Sequence, residues 1–146
     1  MKKYFMGTLL LSTLLSTLFS TLAIHAMGDD KFGPHKGYIR MPGNIHTEVV
    51  PTSETKFKVY VLDIKMKTTK VKDTKIEVEL ETAEATAEKT AEKIPATCKD
   101  SKGKYFECEL PKGNLSSGKL WVKVSRGTTS AIPAVYELPL KLTVHH

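Results

Sequence analysis

Cysteine, tryptophan and long apolar runs are scarce in this 146-residue chain, which has two cysteines and one tryptophan. No C-x-x-C pair occurs, so a thiolate zinc knuckle is not signalled. There is also no H-E-x-x-H, no nucleophile elbow, no glycine-rich phosphate loop and no EF-hand loop. No nucleophile stands beside a base, and the expectation is a protein that is not an enzyme and carries no organic cofactor. A strong excess of one charge is missing too. The net charge is +6, and without Met1 to Ala26 it is 20 basic minus 16 acidic residues, or +4. Lysines and acids alternate along the chain with no basic, aromatic-studded patch, which argues against a nucleic-acid partner.

The one apolar run lies at the start, "MKKYFMGTLLLSTLLSTLFSTLAIHAM". Lys2 and Lys3 precede a serine- and threonine-broken stretch from Gly7 to Ala23, and Ala26 offers a small residue for cleavage. Residues 1–26 are therefore expected to be a secretory signal peptide, cut after Ala26 or after Ala23. The rival, a permanent anchor, would want about 20 uninterrupted apolar residues. The expected address is bacterial, periplasmic or secreted, with no stable membrane insertion after cleavage. The remaining 120 or so residues suit one domain, divided into an N-terminal segment, 27–44, and a sandwich, 45–146.

Export changes the reading of Cys98 and Cys108. They flank "KDSKGKYFE", and a symmetric turn about Gly103 would pair them as a disulfide; a shifted turn would separate them. Around them "KFKVYVLD" (56–63), "KIEVELE" (75–81), "KYFECEL" (104–110) and "KLWVKVSR" (119–126) alternate with period two, as half-buried strands do. "IHTEVV" (45–50), "IPATCK" (94–99) and "AVYELPLKLTV" (134–144) add three more. About seven strands with turn-rich connections predict an all-β, immunoglobulin-like antiparallel β-sandwich. Pro139 marks its own strand as an edge or a bulge. The insertion "TAEATAEKTAEK" (82–93) repeats a four-residue unit. It is expected to be mobile or partly helical, with a long hairpin as the alternative.

Candidate chemistry gathers in "HKGYIRMPGNIHTEVV" (35–50). His46 and Glu48 stand two apart on a strand and so share a face. His35 would approach them if a short strand at 37–41 paired with 45–50 in an offset register. Imidazole and carboxylate suit copper or zinc ions, and the Met41 thioether favours Cu(I). The expected metal ligands are His35, His46, Glu48 and Met41; Met66 and the terminal His145 and His146 are further donors. The plainer alternative is a polar lead-in to a strand.

The run "HKGYIRMPGNIHTEVV" followed by "KFKVYVLDIKMK" resembles a group of small exported bacterial β-sandwich proteins associated with periplasmic heavy-metal and copper handling. The likeness spans residues 35–67. In that group a His-Gly-Gly start and an "H-x-E-V-V" strand precede a "V-Y-V-x-D" strand; here Lys36 replaces the first glycine. The resemblance implies a periplasmic metal-binding protein that buffers or delivers copper or another divalent ion. The alternative is an exported interaction module that docks on an envelope or efflux-system protein through a sheet edge or the repeat.

Overall fold

The computed structural model describes residues 32–83, 86, 88–129 and 132–140. Residues 1–26, His145 and His146 lie outside them. Among the described residues nine strands form: β1 (Tyr38–Arg40), β2 (His46–Pro51), β3 (Lys56–Leu62), β4 (Thr74–Glu81), β5 (Lys93–Pro95), β6 (Thr97–Ser101), β7 (Tyr105–Glu109), β8 (Gly118–Arg126) and β9 (Ala134–Leu138). Every pairing is antiparallel. One sheet runs β1-β2-β3-β7-β6 and the other β5-β4-β8-β9. The expected two-sheet antiparallel sandwich is what the chain builds, with nine strands rather than about seven.

Alternation sorts the side chains. Val49, Phe57, Val59, Val61, Phe106 and Cys108 point inward from the first sheet, and Val78, Leu80, Leu120, Val122, Val124 and Tyr136 meet them from the second. Each such aliphatic or aromatic side chain stabilises the fold by roughly 1.5–3 kcal/mol on burial. A hydroxyl in this core needs a partner. Tyr136 finds one across the interface, its OH 2.6 Å from the Thr47 hydroxyl and donating to the Thr47 carbonyl at 2.9 Å.

Two expectations change. Residues 94–99 read as one strand, yet the chain switches sheets there: β5 belongs to the second sheet and β6 to the first. Ala96 is the pivot, its amide bonding the Val78 carbonyl at 2.8 Å. The repeat is no helix in its described part. Thr82 donates its amide to the Glu92 carbonyl (2.9 Å), Glu92 donates to the Thr82 hydroxyl (3.0 Å), and Thr86 bridges Lys89. The segment continues the β4–β5 hairpin from Glu81↔Lys93, because an existing ladder extends at less entropic cost than a twelve-residue helix nucleates.

Cys98 and Cys108 are cross-strand partners on β6 and β7 and form a disulfide. The turn about Gly103 is symmetric, as the pairing requires, with Gly103 at φ +69°. β9 is an edge strand and ends at Leu138, immediately before Pro139.

Candidate functional site

The outward face of the first sheet does not simply meet water. Register places Ile39, Glu48 and Tyr60 side by side across β1, β2 and β3, with Tyr105 next on β7 at 5.0 Å from Tyr60, centroid to centroid. Two segments close over this row: the turn at 33–37 before β1, and the turn at 63–69 after β3.

Glu48 ties down the first turn. Its side chain is 0% exposed. Oε1 accepts the backbone N–H groups of His35 (2.9 Å) and Gly37 (2.8 Å), and Oε2 sits 2.8 Å from His35 Nδ1. A buried carboxyl is tolerated only when so satisfied. The turn wraps it tightly: a Cβ on Gly33 would fall onto the carboxyl group, and one on Gly37 would come within 2.6 Å of the Val49 carbonyl oxygen. His35 lies flat on Tyr60, centroids 3.6 Å apart and planes within 6°. Its Nε2 faces outward, 3.3 Å from the Thr68 hydroxyl. Burial holds the Tyr60 hydroxyl above its usual range, with Lys58 opposing the rise.

The second turn presents a different pair. Asp63 Oδ1 accepts the amides of Lys65 (2.8 Å) and Lys67 (2.9 Å), while Asp63 N–H donates to the Lys67 carbonyl and Met66 N–H to the Asp63 carbonyl. The Lys67 amide is the main cause of the lowered pKa of Asp63. The turn forces Met66 into the left-handed region at φ +63°, a conformation that favours glycine or asparagine. There its sulfur stands 3.4 Å from His46 Nδ1. His46 is 7% exposed, and among the described residues its ring makes no other hydrogen bond. Continuing the β1–β2 register one residue past Arg40↔Thr47 sets Met41 opposite His46.

The expected ligands are thus divided. His35 and Glu48 meet each other, and His46 meets Met66, one inter-residue step further along the same face. Glu48 was expected to ligate a metal beside His46, but both of its oxygens are engaged within the 33–37 turn. Among the described residues, no group of three or more His, Cys, Asp or Glu is placed to hold an ion; methionine is the donor that completes a pair. Sequence reasoning missed Tyr60 and Thr68. Tyr60 had a signal, since alternation sets it on the face opposite the core; Thr68 had none. No family model, curated protein or solved structure matches the sequence.

Proposed function

We propose that this is an exported metal-binding protein that holds one soft ion, copper in its monovalent state above all, between His46 and Met66. It buffers or hands on the ion without chemical turnover. The observation that carries this reading is the 3.4 Å separation of His46 Nδ1 and Met66 Sδ. An ion taking imidazole nitrogen at ~2.0 Å and sulfur at ~2.3 Å, at a tetrahedral angle, spaces the two donors by about 3.5 Å. The choice of thioether with imidazole selects a soft ion over a hard one. Met41, opposite His46 in the continued register, is the third donor of this reading. His35 and Glu48 are left out of the ligand set, because each already satisfies the other.

Delivery needs a docking partner, and the same turn offers a contact: Ile64 is 66% exposed two residues before Met66. An envelope or efflux-system protein is the partner this reading expects. The leader-like residues 1–26 support the exported address.

The test is a competition titration of the purified protein against a chromogenic Cu(I) chelator, repeated with Zn(II). One Cu(I) per chain is expected, with affinity falling at least tenfold in Met66→Leu and in His46→Ala, and Zn(II) held more weakly. Cu(I) binding that both variants leave unchanged would overturn the proposal.

A further inference from the structure

A hollow of about 340 Å³ opens beside the His35–Tyr60 stack, and no carboxylate lines it. Its lining includes His35, Tyr60, Thr68, Lys70, Lys104 and Tyr105. Neither Lys70 nor Lys104 is in an ion pair with any described residue. We infer that this hollow binds a small oxyanion carried on an aromatic or other flat ring.

Three features support the assignment. The first is chemical: the two lysine ammonium groups carry hydrogens that an anion accepts, with a hydroxyl beside them. With Nδ1 turned to Glu48, the His35 nitrogen facing the hollow is Nε2, beside the Thr68 hydroxyl. The second is the tilted Tyr60–Tyr105 pair, rings 44° apart, which supplies apolar surface for a ring next to the charge. The volume of the hollow falls at the small end of the range for small-molecule sites. The third is rigidity. The Val71 amide bonds the Gly103 carbonyl at 3.0 Å, joining the two walls. Arg126 pins the lysine-bearing loop from below, donating to the Thr69 hydroxyl (3.0 Å) and the Lys70 carbonyl (2.8 Å). A preformed wall loses less entropy on binding than a floppy one.

The site shares no donor with the His46–Met66 pair, so it stands or falls separately. The test is an amide-resolved NMR titration of the purified protein, in chelator, with phenyl phosphate as probe. Phenol supplies the ring without the charge, and inorganic phosphate the charge without the ring. Saturable one-to-one binding of phenyl phosphate is expected, with shifts centred on Thr68, Lys70 and Tyr105. Both control compounds should bind at least tenfold more weakly. Lys70→Ala with Lys104→Ala, both exposed and so harmless to the fold, should weaken the probe about tenfold or more, and Met66→Leu should leave it unchanged. Equal binding by the double lysine variant would overturn the inference, as would either control compound matching the probe. Shifts scattered over lysines elsewhere would overturn it too.

Discussion

Glu48 and His35 are joined twice, through Oε1 to the His35 amide at 2.9 Å and through Oε2 to the imidazole Nδ1 at 2.8 Å. One carboxyl therefore fixes both the backbone and the ring of the residue it faces. Glu48→Gln keeps the shape and an acceptor for the two amides, but its N–H₂ faces Nδ1 and forces the ring to present that nitrogen as an acceptor. The expected cost is about 1–3 kcal/mol, the range for one buried hydrogen-bonding group left poorly matched. Urea unfolding measures it, and faster exchange of the Gly37 amide would locate the damage in the turn.

Gly37→Ala tests the same enclosure from the other side. Its Cβ would sit 2.6 Å from the Val49 carbonyl oxygen and 2.6 Å from the Val50 side chain. Backbone cannot yield as a flexible side chain does, so a loss of roughly 1–3 kcal/mol is expected. A thermal midpoint equal to that of the parent would show that the turn is looser than its packing implies.

The disulfide should appear as two missing hydrogens in the mass of the non-reduced protein. It spans ten positions in sequence and closes a short loop, for which about 2–3 kcal/mol is expected on the chain-entropy account. Paired Cys98→Ser and Cys108→Ser substitutions should lower the unfolding free energy by that amount. They should leave Cu(I) binding alone, because β6 lies at the far edge of the sheet from β1 and β2.

Asp63 gives a pH signature. Its folded-state pKa is lowered, chiefly by the Lys67 amide, so its contribution to stability is present above the ordinary aspartate value. That contribution is lost as pH falls through the folded value. The stability gap between the parent and Asp63→Asn should accordingly be open near neutrality and close in acid. A gap constant with pH would assign the effect of the substitution to shape rather than charge. Because Asp63 shapes the turn that carries Met66, the variant should also weaken Cu(I) binding several-fold.

Tyr60 shifts the other way. Burial raises its hydroxyl pKa above 10.0, so the stability it contributes is intact below the ordinary tyrosine value and declines as pH rises through the folded one. In an alkaline absorbance titration Tyr60→Phe should remove one tyrosine ionisation from the part of the curve above the ordinary tyrosine value.

Much of the sandwich was legible because burial on one face writes period two into the residues. Lys58, Tyr60 and Leu62 stand opposite Phe57, Val59 and Val61 in sequence and in space. The same rule put His46 and Glu48 on one face. It could not show that the face was covered, since 33–37 and 63–69 are turns whose paths follow from hydrogen bonds to Asp63 and Glu48 rather than from periodicity. Hence Glu48, which reads as solvated or metal-bound, is enclosed, and Met66, which reads as a turn residue, meets His46. The sheet switch at Ala96 escaped for a related reason: alternation carries on through Pro95 and Thr97 whichever sheet receives the strand.

The described part of the four-residue repeat, finally, sits on the opposite sheet from both candidate sites and extends the β4–β5 hairpin. Losing or gaining one such unit removes or adds two positions per arm, an even number, so every downstream side chain keeps its inward or outward sense. The protein can thus tolerate copy-number drift there, and the same spot is a natural place to splice in a tag or label.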